Sequence, residues 1–303
     1  MKVLVLGGGN SPEREVSLRS AKAVAVAARM AGYEVMEADP ADGLDVLDTL
    51  PKGTIILPIL HGKNGEDGVI QAELERRGLA YLGSDSRVSA ACFDKWQTRQ
   101  KLLAAKIPMP LGVRVNRETY KNQALAKKPH VLKVVHGGSS IGTVIVRDLS
   151  KLEQEHINQL FELENDAVLE ELVEGLEITV PVLDQTALMP LEVRPPEGGE
   201  FDYNNKYNGT TAELCPPPSL SQEQIKRVQK LAEKVHKLMG CRHLSRTDTI
   251  MRPDGSFVVL EINTIPGLNN QSLTPKAAAV AGLSMPELVK KFINLVKRDF
   301  GVE

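Results

Sequence analysis

The sequence predicts an α/β protein with a parallel sheet at its N-terminal end and a smaller α+β unit in its middle. Two observations carry the prediction. From Met1 to about Ser86, short β-prone runs alternate with helical patterns, the rhythm of strands joined by crossover helices. Beyond Ser86, β-prone runs follow one another across loops too short for a crossover, which implies antiparallel pairing.

Lys2–Leu6 is a β-branched and leucine run ending in Gly7-Gly8-Gly9, a strand entering a tight turn. Ser11 is placed to cap a helix with Pro12 at its first position. Val16, Ala23, Val24, Ala27 and Ala28 mark its apolar face, and Gly32 closes it. Tyr33–Ala38 and Thr54–Leu60 are expected strands, and Gly68–Arg77 a helix that stops at Gly78. Ser89–Ala105 is expected as one helix, followed by the proline-punctuated Lys106–Pro110. Val131–Val135 and Thr143–Val146 are strands joined by the loop His136–Gly142. A third strand, Ala167–Leu169, follows a helix around Leu152–Phe161. Strands at Glu177–Leu183 and Leu188–Val193 then precede a polar, Gly- and Asn-containing stretch, Glu197–Glu213. Ser221 and Gln224 form a capping box ahead of a helix whose Ile225, Val228, Leu231, Ala232, Val235 and Leu238 keep one buried face up to Gly240. A hairpin, Thr247–Met251 with Phe257–Ile262, and a last helix from about Met285 complete the chain. The breaks in rhythm divide it at 1–86, 87–173 and 174–303.

Composition narrows the function. Lys plus Arg number 37 and Asp plus Glu 39, a net charge of −2, so there is no basic excess for nucleic acid or for an anionic membrane. No apolar run approaches the roughly 18 residues of a membrane span, and Val3–Leu6 is too short for a signal-peptide core. Cys92, Cys215 and Cys241 are widely spaced and in no C-x-x-C pair, which argues against a disulfide framework or zinc site and fits a reducing cytoplasm.

Two nucleotide motifs fail. Gly7 and Gly9 begin a dinucleotide fingerprint, but Pro12 stands where its third glycine belongs. Gly137 and Gly142 have P-loop spacing, but Thr143-Val144 follows in place of Lys-Ser/Thr. The Gly/Ser loop 137–142 could still wrap an anion with its backbone N–H groups, helped by Lys133 on the incoming strand. Taken alone, it reads as a flexible hairpin connection.

The segment Ser245–Asn263 holds the most chemistry. Asp254-Gly255 between two β-prone runs signals a two-residue turn. That turn sets Asp248 opposite Glu261 and Arg246 opposite Asn263, and alternate residues share a face, so four polar groups converge. A four-residue loop keeps them there, whereas a three-residue loop breaks the arrangement. Facing carboxylates repel unless a positive charge lies between them. Asp, Glu and Asn oxygens are hard donors that Mg²⁺ accepts together with substrate phosphates. The alternative is a solvated face on which Arg246 neutralises both acids. Ile250, Val259 and Ile262 place the hairpin inside a packed body, which favours a cation-lined cavity.

With these residues in view, the chain resembles the D-alanine–D-alanine ligases of the ATP-grasp superfamily along nearly its whole length. The matching stretches are Gly8–Ser17, Leu60-His61-Gly62 with Gly65–Gly68, Asp94-Lys95, Gly138–Gly142, Asp202-Tyr203 with Lys206-Tyr207, Arg246-x-Asp248, and Glu261-x-Asn263-x-x-Pro266-Gly267 through Ser272-Leu273. The resemblance implies a three-domain ATP-grasp fold: a substrate domain 1–86, a central domain 87–173 and a catalytic domain 174–303. It implies that one D-alanine carboxylate is phosphorylated by ATP and the acyl phosphate is then attacked by a second D-alanine, for peptidoglycan synthesis.

By the same resemblance, Lys95 and Lys133 would hold ATP phosphates, with Ser139 and Ser140 in the loop covering them. Glu170, Glu171 and Val173 would bind adenine and Glu177 the ribose. Asp248, Glu261 and Asn263 would hold two Mg²⁺, or Mn²⁺. Arg246 and the Gly267 N–H would stabilise the tetrahedral oxyanion. Glu13, linked through Ser139 and Tyr207, would take the first ammonium near His61, and Ser272 with Leu273 the second carboxylate. Glu13 read alone is a helix-start carboxylate favoured by the macrodipole, His61 a structural histidine and Ser272 a cap. Glu197–Glu213 resembles the family's lid, with Lys206 reaching the γ-phosphate and Tyr207 favouring an amine as nucleophile. Gly65–Gly68 is expected to shape a turn. A homodimer is the family habit.

Four departures mark the chain: Gly137 in place of a usual Glu, Glu171-Leu172 in place of Lys and an aromatic, Ile265 in place of Ser, and Asn269-Asn270-Gln271 in place of Thr-Ser-His. They bear on nucleotide affinity and second-site selectivity. Two rival readings are the same fold with D-serine, D-lactate or an L-amino acid as acceptor, and a silent nucleotide-binding protein.

Overall fold

The computed structural model describes residues 1–138, 141–152, 154–196 and 211–302. Ser139, Ser140, Lys206, Tyr207 and most of the stretch from Glu197 lie outside the described residues. The first sheet is parallel: β1 (Lys2–Leu6), β2 (Glu34–Ala38), β3 (Ile55–Pro58) and β4 (Ala80–Tyr81), in the order β2-β1-β3-β4. Its helices are α1 (Arg14–Met30) and α2 (Val69–Arg76). Helix α1 starts later than Pro12 because Ser11 is used elsewhere. The Ser11 hydroxyl donates to the His61 carbonyl (2.6 Å) and accepts the Glu13 N–H (3.2 Å), and Glu13 becomes the cap position. That link joins the chain leaving β1 to the chain leaving β3, where the strand order reverses. Doubly wound sheets bind ligands in the crevice outside such a switch point.

The expected helix Ser89–Ala105 is two helices, α3 (Ser86–Phe93) and α4 (Lys95–Ala104). Asp94 is extended and its side chain caps α4 through the Gln97 N–H (2.8 Å), so the chain turns between them. The second sheet is antiparallel and runs β5-β8-β6-β7, from β5 (Gly112–Asn116), β6 (His130–Val134), β7 (Thr143–Val146) and β8 (Asp166–Glu171), with α5 (Gln154–Leu163) beside it. Strand β5 was not expected: it is a short run that opens on glycine just past two prolines.

The third sheet runs β12-β11-β9-β13-β14. Its strands are β9 (Leu176–Leu183), β10 (Thr186–Ala187, paired with β9), β11 (Leu191–Arg194), β12 (Ala212–Leu214), β13 (Leu244–Met251) and β14 (Phe257–Asn263). Strand β11 begins only after Pro190, which cannot donate to a ladder. The end of the polar stretch is also strand, since Glu213 pairs with Val193 in β11. Helix α6 (Gln222–Met239) has both halves of the expected capping box and ends at Gly240 in a left-handed conformation. Two further helices follow, α7 (Leu273–Val280), which was not expected, and α8 (Met285–Phe300).

Two packing relations position the site. Phe292, Ile293 and Val296 of α8 pack with Val24, Ala25 and Ala28 of α1 over Val3, Val5 and Ile55, so the last helix completes the first sheet's core. Val88, Cys92 and Leu102 of α3 and α4 pack with Val235, Met239, Val259 and Ile262, which anchors the start of α4 to the hairpin β13–β14. Each fully buried Val, Leu, Ile, Phe or Met among them contributes about 1.5–3 kcal/mol. Among the described residues no helix is long and apolar enough to cross a membrane.

Candidate active site

The hairpin β13–β14 has a three-residue connection, Pro253-Asp254-Gly255: the Arg252 N–H donates to the Ser256 carbonyl (2.8 Å). The expected two-residue turn is absent because the Asp254 carboxylate accepts both the Ser256 N–H (2.8 Å) and hydroxyl (2.6 Å), closing a local turn of its own. Such a loop alone would rotate the polar set off its face. A bulge at Leu260 restores it: Thr249 pairs with Val259, but Asp248 pairs with Glu261 and Arg246 with Asn263. The four residues therefore share a face as expected, for a different reason.

Arg246 and Asp248 form a bidentate pair (2.8 and 2.7 Å), and the Thr179 hydroxyl also donates to Asp248. Asn263 Oδ1 accepts the Ile265 N–H (2.9 Å), which turns the chain toward Gly267. Among the described residues no three His, Cys, Asp or Glu side chains converge on a metal position. The donor set is instead two carboxylates and an amide. That chemistry fits Mg²⁺ only when phosphate oxygens complete its shell.

A cavity of about 1020 Å³ opens on this face. Arg246, Glu261 and Asn263 line it from the hairpin, Gly267, Ser272 and Leu273 from the start of α7, and Lys95 from α4. Glu13 and His61 line it from the switch point of the first sheet. Nine of the residues singled out in the sequence thus meet around one space. Asp248 stands behind Arg246, and Lys133, Glu170, Glu171, Val173 and Glu177 lie outside the lining. Lys133 and Glu170 form an ion pair (3.0 Å), and Glu171 accepts Arg252 (2.9 Å) and the Leu111 N–H (3.0 Å).

Burial sets the protonation of this space. It pushes the His61 pKa down to about 4, against a hydrogen bond to the Ile265 backbone, so the ring is neutral near pH 7. His61 Nε2 also lies 3.4 Å from Ser20 Oγ, which accepts the Leu268 N–H (3.4 Å), so this histidine braces the loop that carries Gly267. Burial lowers Lys95, whose ammonium donates to the Gly137 carbonyl. Burial also opposes the Lys133 ammonium, but Glu170 and Glu261 outweigh it and its pKa is raised.

The sequence reading assigned no chemistry to Glu66. It lines the cavity, its Oε2 accepts the Gly62 N–H (2.7 Å), and burial with the Glu13 charge pushes its pKa up to about 8. The available signal was a lone acid within the quoted Gly65–Gly68 run, eclipsed by the turn-forming glycines around it. Ser272 occupies the cap position of α7 without making a capping hydrogen bond. A Cβ on Gly267 would stand 2.8 Å from its Oγ, so glycine there lets hydroxyl and backbone approach. The first N–H groups of α7 consequently adjoin the cavity, a ready site for a carboxylate.

Residues 112–294 match the family described as D-ala D-ala ligase C-terminus. The chain is 36% identical to D-alanine--D-alanine ligase of Actinobacillus succinogenes over 302 residues, covering 97% of each chain. It is 38% identical to that of Nitratidesulfovibrio vulgaris over 303 residues, covering 97% of this chain and 98% of the relative. Among solved structures, D-alanine--D-alanine ligase of Bacillus anthracis complexed with ATP superposes with a TM-score of 0.85 at 28% identity, covering 99% of both chains. The VanG D-Ala:D-Ser ligase of Enterococcus faecalis gives a TM-score of 0.82 at 28% identity, covering 98% of this chain and 99% of the other. The chain belongs to the D-alanine–D-alanine ligase family.

Proposed function

We propose that the protein joins two D-alanines into D-alanyl-D-alanine at the expense of ATP, through an acyl phosphate, for peptidoglycan precursors. The observation that supports this most is the convergence of Glu13, Lys95, Arg246, Glu261, Asn263, Gly267 and Ser272 on one cavity. The ammonium of the first D-alanine sits at Glu13, with Ser139 and Tyr207 assigned beside it by family resemblance. Its carboxylate oxygen attacks the γ-phosphorus, the bond to the β–γ bridging oxygen breaks, and ADP departs. Lys95 and Lys133, with Ser140 and Lys206, hold the phosphates. Glu171, Val173 and Glu177 face the adenosine. Asp248, Glu261 and Asn263 would hold Mg²⁺, which neutralises charge on the transferring phosphoryl group.

The second D-alanine's carboxylate rests on the Ser272 hydroxyl and the Leu273 N–H. Its amine attacks the acyl carbon, the Arg246 guanidinium and Gly267 N–H carry the oxyanion, and phosphate leaves with the electron pair and takes up the proton that the nitrogen gives up. Neutral His61 holds the oxyanion loop in place. In this reading residues 1–86 hold the first substrate, and 87–173 with 174–303 grip ATP. Its location is the cytoplasm, where ATP is available. Trapping tests the chemistry: hydroxylamine with Mg-ATP and D-alanine should give the D-alanyl hydroxamate and ADP. Release of AMP, or no hydroxamate, contradicts an acyl phosphate. Asn270 and Gln271 line the cavity's acceptor end, so D-serine and D-lactate belong in the same assay.

A further inference from the structure

Helix α4 begins with Lys95 and presents Arg99 one turn later on the same side. Arg99 is only 3% exposed. Its Nη1 donates to Glu170 Oε1 (3.0 Å), while the other carboxylate oxygen, Oε2, lies 3.0 Å from the Lys133 ammonium. Arg99 Nη2 donates to the Pro110 carbonyl, and its Nε has no hydrogen-bond partner among the described residues, a cost an apolar side chain would avoid. Glu170 and Lys133 sit diagonally across β8 and β6, since Val131 opposes Glu170 and Lys133 opposes Val168. On the other side of β8, Gly112 of β5 stands opposite Glu170. A Cβ there would come within 3.0 Å of the Arg99 guanidinium carbon and 3.1 Å of Glu170 Cγ. The sheet thus leaves a gap of one side chain through which Arg99 reaches the carboxylate.

We propose that Arg99 is a positioning residue for the nucleotide: by sharing Glu170 with Lys133, it fixes Lys133 on the side of the phosphates. This rests on the ATP-dependent reading above. Arg99 and Lys133 both pair with Glu170, and Glu261 acts on Lys133 and Lys95 as well. The geometry decides which of these cations is free to meet a polyphosphate. Arg99 spends its guanidinium fork on Glu170 and Pro110, so the Lys133 ammonium shares its carboxylate and keeps donors for ATP. Without Arg99, Glu170 keeps its whole charge for Lys133 and holds it away from the phosphates.

The test is calorimetric titration of Mg-ADP without D-alanine, with steady-state KM values for ATP and D-alanine, on wild type, R99M, R99K and G112A. R99M should weaken Mg-ADP and raise KM for ATP by about tenfold, leaving KM for D-alanine within about twofold. R99K should recover most of that loss. G112A, which keeps every charge and displaces the pair, should move in the same direction as R99M. A folded R99M with unchanged Mg-ADP affinity overturns the proposal, as does an R99K no better than R99M. If R99M does not fold, G112A decides: weaker nucleotide with unchanged KM for D-alanine supports the role, and no change overturns it. Wild type that binds no nucleotide instead defeats the ATP-dependent reading itself.

Discussion

The two walls of the cavity handle buried charge in opposite ways. On the hairpin wall, Asp248 is held by Arg246 and Thr179, and Glu261 faces it across the strand pair, so charge is fixed before any ligand arrives. On the switch-point wall, Glu13 and Glu66 share one end of the space and Glu66 is driven toward its neutral form. In the proposed reading the first wall serves phosphoryl transfer. On the second, burial and the Glu13 charge hold Glu66 near its neutral form, which leaves Glu13 as the complement of an ammonium. Loss of a charge on the hairpin wall should therefore cost turnover, and loss of Glu13 should cost affinity.

The hairpin wall should break hardest. Glu261→Gln and Asp248→Asn should each lower kcat by about 10³ or more, with thermal melting showing a folded protein, and near-normal turnover in both would remove the metal assignment. On the opposite wall, Glu13→Gln should raise KM for D-alanine by about 10²-fold with a smaller change in KM for ATP, measured by ADP release at varied D-alanine.

Acid should weaken the fold through its buried histidines. His61, His236 and His243 are each lowered from 6.5 to about 4 by burial. Between those values the unfolded chain binds the proton and the native one does not, so stability is full above 6.5 and falls as pH drops toward 4. His243 illustrates the cause: Nδ1 accepts the Gly83 N–H (3.0 Å) and Nε2 donates to Asp299 (3.0 Å), leaving no place for a second proton. Denaturant titrations should show on the order of 1–2 kcal/mol lost per histidine by about pH 5, and a flat profile would contradict it.

Smaller effects sharpen the contrast. Gly267→Ala should cost about tenfold in kcat with KM for ATP unchanged, because the new methyl crowds Ser272 rather than the nucleotide. Glu66→Gln should be the mildest, within about threefold at neutral pH, since the amide matches a carboxyl already held neutral. A loss as large as that of Glu13→Gln would mean that Glu66 works ionised.

The same contrast decided what could be read from sequence. Asp248, Glu261, Arg246 and Asn263 were legible because strand alternation is a local rule. The loop length was misjudged, yet the bulge at Leu260 cancelled the error, and no local rule announces a bulge. Capping at Ser221 and Gln224 was visible for the same local reason. Glu66 was not, because its chemistry comes from burial beside Glu13, many residues away. Asp94 was hidden inside an otherwise continuous helical pattern, where only its cap to Gln97 reveals the break. Helix α7 was masked by Thr274-Pro275, a proline that reads as a breaker until it is placed in a first turn.

The reaction is tested most directly by ADP release with Mg-ATP and D-alanine, set against L-alanine, D-serine and D-lactate, with every product identified by mass. Turnover with D-alanine is expected, with a product of D-alanyl-D-alanine mass and one ADP and one phosphate for each dipeptide. Absence of that dipeptide in an enzyme that binds ATP would contradict the proposed reaction.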